Sequence, residues 1–121
     1  MVERNQLSAA LGGVEFASVD VQQAVDTARL NGSALLTSYA HGHIEVITNL
    51  MYDGAEFCLG VTVFDTVHTP QDPAYTPQFG VSLETSAYRR RSVLTDQEDA
   101  PTIVPLRDDP EALISARLTL A

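Results

Sequence analysis

Three histidines are the side chains in this sequence best suited to hold a metal ion. His41 and His43 form a His-x-His pair, and on one continuous strand their rings would share a face with Glu45. His68 would approach from a proline-rich segment, and imidazoles with one carboxylate suit zinc or iron. A small metal-dependent enzyme using His41, His43 and His68 is therefore one hypothesis. Gly42 favours a turn that would separate the first two rings, so we expect neither a tightly bound metal nor another cofactor.

Nucleophilic chemistry has little support in the sequence. Cys58 is the only cysteine, so the chain has no internal disulfide and no thiolate cluster for zinc. It falls inside an apolar strand pattern, which is typical of a small buried side chain. No serine lies in a Gly-x-Ser-x-Gly motif, and no glycine-rich loop suited to phosphate is present. These observations favour a non-catalytic protein.

A short basic cluster follows one predicted strand. Tyr88 precedes Arg89, Arg90 and Arg91. Guanidinium groups can grip a phosphate or carboxylate, and a tyrosine ring can stack on a base, so Tyr88–Arg91 is a candidate anion-binding site. In a chain with this many carboxylates, the alternative is a solvated turn neutralised by local Asp and Glu.

The net charge narrows the class of partner. Sixteen carboxylates face seven arginines, lysine is missing, and the formal net charge is −9. Such a chain repels phosphate backbones and anionic membranes, which argues against general nucleic-acid binding, and it suits a basic protein partner. Solubility alone would also explain the acidity.

Membrane and export signals are not visible in the sequence. No apolar run approaches the roughly 20 residues that span a bilayer. The N-terminus lacks the basic and then apolar profile of a signal peptide. We therefore expect a cytoplasmic protein without a membrane anchor.

The elements that must position these residues centre on the segment Ala55–Asp65. Its apolar side chains alternate strictly, which is typical of a half-buried strand: Phe57, Leu59, Val61 and Val63. With 121 residues, 45% of them apolar, the chain is large enough for a single domain with its own core, residues 1–121. We expect this strand at the centre of one antiparallel sheet.

The strongest helix signal spans residues 20–31. Asp20 can cap the first turn, and Asn31-Gly32 can end the helix in the left-handed conformation. Four small apolar residues at helical spacing predict the face that lies on the sheet: Val21, Ala24, Val25 and Ala28. One or two helical turns are expected before Gly12-Gly13, and Val14–Val19 predicts a short strand.

Three strands joined by short turns predict an antiparallel meander. The segments are Ser33–Ala40, His43–Leu50 and the central strand, with His41-Gly42 and Asp53-Gly54 as the turns. We expect one face of the middle segment to carry the apolar residues Ile44, Val46 and Leu50 together with Thr48.

The second half of the chain is less regular. Thr66–Gln78 contains three prolines and predicts a long surface loop, Phe79–Ala87 predicts a strand, and Thr102–Leu106 predicts an edge strand because of its prolines. Asp109-Pro110 favours a helical turn, and the alternation over 114–120 favours a terminal strand after it. The predicted class is α+β: an antiparallel β-meander sheet of four to six strands with one main helix, residues 20–31, on one face.

The sequence favours a non-catalytic acidic interaction protein, either an assembly subunit or an inhibitor that binds one protein partner. Its binding surface is expected in the loop, at Val67, His68 and Tyr75, because prolines reduce the entropy lost on binding and tyrosine is enriched at interfaces. A small-molecule-binding protein with a pocket between the sheet and loop 66–78 is a further alternative. The proline-marked edge and the apolar terminal strand predict a homodimer or higher assembly.

Overall fold

The computed structural model describes residues 4–65, 80–84, 89–93, 102–106 and 110–120. Two α-helices, one 3₁₀ helix and seven strands lie in these ranges: α1 (Arg4–Gly12), α2 (Val21–Asn31), β1 (Ser33–His41), β2 (Ile44–Tyr52), β3 (Phe57–Asp65), β4 (Gly80–Glu84), β5 (Arg89–Val93), β6 (Thr102–Pro105), the 3₁₀ helix (Pro110–Ser115) and β7 (Arg117–Leu120).

Within the described ranges the strands form antiparallel sheets, which confirms the α+β class. A four-stranded sheet has the order β1-β2-β3-β6, and a three-stranded sheet has the order β5-β4-β7. The four-stranded sheet has the predicted number of strands, and the three-stranded sheet is an addition that the sequence did not predict. Short turns force β1, β2 and β3 to pair in sequence, whereas a long connection leaves β4 free to pair elsewhere. Because β6 pairs with β3, β4 pairs with β5 and β7 instead.

The strand β3 is interior to the four-stranded sheet, as its alternating pattern predicts. It pairs with β2 without interruption from Ile44 opposite Asp65 to Tyr52 opposite Phe57. All four apolar residues of the predicted face of β3 are buried: Phe57, Leu59, Val61 and Val63. The predicted face of β2 is buried as well: Ile44, Val46, Thr48 and Leu50. β6 lies at the outer edge of this sheet, as its prolines predict.

The boundaries of α2 follow from the chemistry of the residues at its ends. The Asp20 carboxylate accepts a hydrogen bond from the Gln23 amide at 3.0 Å, which satisfies one of the free N–H groups of the first turn. Gly32 ends the helix at a φ of 89°, and its amide donates to the Ala28 carbonyl at 2.7 Å. The predicted apolar stripe is buried, and α2 packs against β1 and β2.

The helix α1 also packs against the four-stranded sheet and against β7. Its apolar residues are fully buried: Leu7, Ala10 and Leu11. The strand expected over Val14–Val19 does not form. The Val14 amide donates to the Leu11 carbonyl and the Val19 amide to the Phe16 carbonyl, so the backbone closes local turns. Neither of these two α-helices, which are those of the described ranges, is long and apolar enough to cross a membrane.

A β-bulge in β1 explains why its sequence shows mixed faces. The register with β2 shifts between Leu35 and Thr37, which makes Leu36 the extra residue. Ala34 and Thr37 both lie opposite buried residues of β2, although a regular strand would place them on opposite faces. The bulge therefore turns both side chains toward the helical layer.

The second hairpin turn is longer than the two-residue turn predicted at Asp53-Gly54. Pairing resumes only at Phe57, so residues 53–56 form the turn. The Asp53 carboxylate accepts hydrogen bonds from the Ala55 and Glu56 amides, each at 2.9 Å. The Asp53 amide also donates to the Glu56 carbonyl at 3.4 Å, so the side-chain cap adds to one backbone hydrogen bond across the turn.

The smaller sheet contains the C-terminal strand. The 3₁₀ helix precedes β7, which confirms the predicted helical turn and terminal strand. Ala116 and Leu118 are buried, whereas Ile114 is 50% exposed, so only part of the apolar face from which a homodimer was predicted is covered within the chain. Val81 and Leu83 of β4 are buried. Ser82, on the opposite face, is buried too, and within the described ranges its hydroxyl has no hydrogen-bond partner.

Replacing Ala28 by aspartate should strongly destabilise the fold. Ala28 is 0% exposed, so the new carboxylate in Ala28→Asp would lose its water and gain no partner. We expect the free energy of unfolding to fall by roughly 3–5 kcal/mol, measured by urea denaturation. Gln23→Asp is the control, because it adds the same charge to an exposed position of α2 and should change stability by less than about 1 kcal/mol. Matching unfolding curves for the parent and Ala28→Asp would contradict the packing of α2.

Two glycines allow the left-handed end of α2 to be tested separately from packing. A Cβ atom at Gly12 or at Gly32 would meet no atom within 4 Å, but only Gly32 of the pair has a positive φ. Gly32→Ala should therefore lower the free energy of unfolding by about 1–2 kcal/mol, because an L-residue is strained in that conformation. Gly12→Ala should leave stability unchanged or raise it by about 0.5 kcal/mol. Equal effects of the two substitutions would show that backbone strain is not the cause.

Candidate functional site

An open groove lies between α2 and β1, and we call it the α2–β1 groove. Its volume is about 960 Å³, and its walls are the N-terminal half of α2 and residues 34–39 of β1. Residues of the connection between α1 and α2 also line it, among them Glu15 and Ser18. Helix, strand and connection thus converge on one surface feature.

A contact between Tyr39 and Gly13 shapes the closed end of the groove. Both residues line it, and the Tyr39 ring lies so close to Gly13 that a Cβ atom at position 13 would overlap the ring. Tyr39 also packs against the hydrophobic core. The missing side chain at Gly13 is therefore what lets the tyrosine ring form this wall.

Hydrogen bonds to β2 hold the strand wall of the groove in place. The Thr37 and Thr48 hydroxyls are 2.6 Å apart and share a hydrogen bond on the face toward the helices. On the other face, the Ser38 hydroxyl donates to the Glu45 carboxylate at 3.3 Å. Cross-strand pairs of this kind fix the position of β1 against β2 on both faces.

The charge of the groove is negative. Glu15 and Asp20 both line it and are exposed. Asp20 uses one carboxylate oxygen to cap α2, and within the part of the chain that the structure describes neither carboxylate has an ion-pair partner. Among the described residues that line the groove there is no arginine. A cationic ligand would meet two uncompensated carboxylates there.

The strand that forms this wall is also an edge of the sheet. β1 is the outer strand of the order β1-β2-β3-β6, so its second side has no strand partner among the described residues. Leu35 is 65% exposed, and Ser38 and Ala40 are exposed. An exposed strand edge carries backbone N–H and C=O groups that another chain can pair with.

A smaller pocket of about 230 Å³ lies near the other end of the sheet, with Met51, Tyr52 and Cys58 among its lining residues. The Tyr52 and Phe57 rings stack with their centroids 4.6 Å apart, and the Arg29 guanidinium lies 5.5 Å from the centroid of the Phe57 ring. These contacts join the C-terminal part of α2 to the hairpin of β2 and β3, which is a structural role.

Two ionisable groups beside this pocket are shifted in opposite directions. Hydrogen bonds from the Glu56 and Ala55 amides lower the pKa of the Asp53 carboxyl below its ordinary value of 3.8. Because the folded state lowers this pKa, the stabilising effect of the carboxylate is present at neutral pH and is lost as the pH falls through the lowered value. Burial raises the pKa of the Cys58 thiol, and the charges of Asp53 and Glu56 raise it further. The thiol therefore stays protonated and weakly nucleophilic at neutral pH.

The histidines of the alternative metal hypothesis, His41 and His43, do not share one continuous strand. His41 is the last residue of β1 and pairs with Ile44, so Gly42 and His43 form the turn, with Gly42 at a φ of 61°. His68 lies outside the described residues. Among those that are described, no group of three or more His, Cys, Asp or Glu residues is arranged to hold a metal ion.

The other predicted sites are only partly covered by the structure. Arg89, Arg90 and Arg91 belong to β5 and pair with Glu84, Leu83 and Ser82 of β4, which corrects the interpretation of this run as a turn. Tyr88 lies outside the described residues, as does the loop with Val67, His68 and Tyr75. A pocket between the sheet and loop 66–78 falls there too.

Sequence reasoning did not identify the α2–β1 groove. A signal for it exists in the run Ala34–Thr37, where strict alternation fails. Such a failure within a strand is typical of a bulge, and bulges are enriched in edge strands. The acidic residues Glu15 and Asp20 lie far from this run in sequence, so their position beside β1 depends on the packing of α2.

The Cys58 thiol should react slowly with iodoacetamide. Because its pKa is raised and the thiolate is the reactive form, alkylation at pH 8 should be slower than that of free cysteine, measured by mass spectrometry over time. Glu56→Gln removes one nearby negative charge and should accelerate the reaction. Glu111→Gln, at an exposed position of the 3₁₀ helix, is the matched control and should leave the rate unchanged. A parent rate equal to that of free cysteine would contradict the raised pKa.

Comparison of the chain with protein-family models, with curated proteins and with solved structures found no match. The case for a function therefore comes from the geometry and charge of the α2–β1 groove.

Proposed function

We propose that this chain is a non-catalytic acidic interaction protein, an assembly subunit or an inhibitor, that binds one basic protein partner in the α2–β1 groove. The observation that carries the proposal is the exposed strand edge of β1 beside two carboxylates, Glu15 and Asp20, that have no ion-pair partner among the described residues. A strand edge provides backbone groups for binding, and the carboxylates select for positive charge.

The charge and the apolar residues have different roles in this proposal. An exposed ion pair contributes only about 0.2–1 kcal/mol, so the two carboxylates mainly increase the association rate and exclude acidic partners. Burial of an exposed leucine contributes more, about 1.5–3 kcal/mol when complete. Leu35, which is 65% exposed and lies opposite Asn49 on the face of β1 away from the helices, supplies this contribution beside the groove.

Two further proposals concern partner surfaces other than the groove. Self-association through the edge strand β6 is one, since Pro105 marks that edge and Ile103 is 41% exposed. A contribution of Val67, His68 and Tyr75 to the partner surface is the other, and it rests on the composition of their loop.

Neutralising the groove should weaken binding of the partner. The test is to capture the partner from the native host, purify it, and titrate it by calorimetry against the parent and the double variant Glu15→Gln, Asp20→Asn. Asparagine is as good a helix cap as aspartate, so α2 should remain intact. We expect the affinity to fall about tenfold, and the parent complex to weaken as salt is added.

The matched control carries the same change of net charge away from the groove. Glu56→Gln and Glu111→Gln together remove two exposed carboxylates that do not line it. This variant should bind the partner within about twofold of the parent. If both double variants weaken binding equally, the acidity acts as a general field and the groove is not the site. An acidic partner would contradict the proposed class.

A further inference from the structure

We infer that the α2–β1 groove receives its partner as an extended basic strand that adds to the outer edge of β1. This inference rests on the proposed function, since it specifies how a basic partner would occupy the groove. The added segment pairs its backbone with Ser38 and Ala40, and its positive side chains lie over Glu15 and Asp20.

The backbone of β1 offers the groups that such a strand needs. His41 and Ile44 flank a two-residue turn and pair with each other, and residues in that position exchange both backbone hydrogen bonds. Along an antiparallel strand, backbone hydrogen bonds to one neighbour are formed by every second residue. Counted from His41 toward the N-terminus, every second residue therefore bonds to β2. Ser38 and Ala40 therefore direct their N–H and C=O groups away from β2, and both residues are exposed.

The bulge sets the length of the added strand. Because Leu36 is the extra residue, regular pairing is available from Thr37 to His41 and is interrupted on the N-terminal side of Thr37. A bulge that interrupts an edge strand opposes long edge-to-edge pairing between molecules. Many proteins avoid aggregation in this way. The partner segment is therefore short, and Leu35 lies just beyond its paired stretch, where it can contact an apolar side chain.

Charge and backbone chemistry select this occupant over two others. A second copy of the chain would bring another net charge of −9 to a groove that already holds Glu15 and Asp20. A helix would leave the outward groups of β1 unpaired, because its own N–H and C=O groups are already bonded within it. An extended basic segment satisfies both the backbone and the carboxylates.

A synthetic peptide of about six residues that alternates valine with arginine is the probe. Its affinity for the full chain is measured by calorimetry against two others: a valine–glutamate peptide, and the valine–arginine peptide with N-methyl groups on its central amides. N-methylation keeps the charge and removes backbone donors. We expect the glutamate peptide not to bind and the N-methylated peptide to bind at least about tenfold more weakly.

The matching change in the protein is Ala40→Pro. It removes an N–H group that faces away from β2, and an edge strand tolerates proline at such a position. Ala40→Ser keeps the N–H group and is the control. We expect Ala40→Pro to weaken peptide binding about tenfold and Ala40→Ser to leave it unchanged. Hydrogen exchange of the Ser38 amide in the parent should slow when the peptide is bound.

The outcomes separate this inference from the proposed function. Weaker binding on N-methylation and in Ala40→Pro supports strand addition. If only Glu15→Gln, Asp20→Asn weakens peptide binding, strand addition is wrong and a basic partner in the groove still stands. If the peptide does not bind, or none of these changes affects its binding, strand addition is wrong, and the titration of the native partner decides the proposed function. Should Ala40→Pro fail to fold, the N-methylated peptide and the Ser38 amide decide the result.

Discussion

The rest of the structure depends on the register between β2 and β3. These strands pair without interruption from Ile44 opposite Asp65 to Tyr52 opposite Phe57, and every second residue of each is buried. Side chains alternate with a period of two, so a slip by one residue would move the whole buried set to the other face. The Asp53 carboxylate, by holding the Ala55 and Glu56 amides, fixes the turn that sets this register. The helical layer then packs on the face so defined.

The neighbouring strand β1 has to adapt to that register. Its sequence does not alternate cleanly, and the bulge at Leu36 lets both Ala34 and Thr37 turn toward the helices. The Thr37–Thr48 hydrogen bond then anchors the strand beyond the bulge. The same irregularity leaves Leu35 largely exposed at the rim of the groove. A local solution to a packing conflict therefore accompanies an exposed apolar side chain beside the groove.

Local chemistry was enough to predict several elements from the sequence. Asp20 and Gly32 act within one helical turn of themselves, and the alternation of β3 needs only its own residues, so each was predictable. The division into two sheets was not, because β4 chooses between possible partners that are distant in the chain. Arg89–Arg91 suggested a turn because charge is unusual in strands, yet the backbone pairing with β4 is independent of side-chain charge. The groove escaped prediction for a similar reason, since Glu15 and Asp20 meet β1 only through tertiary packing.

The close approach of Tyr39 to Gly13 links the groove to a distant part of the fold. The Gly13 amide is bonded to the Ala9 and Ala10 carbonyls at the end of α1, at 3.1 and 3.3 Å. Its backbone is therefore held by α1, and the side on which other residues carry a Cβ atom contacts the tyrosine ring. Any side chain at position 13 would have to displace either the tyrosine ring or the end of α1. Glycine at this position is therefore a condition for the strand and the helix to pack together.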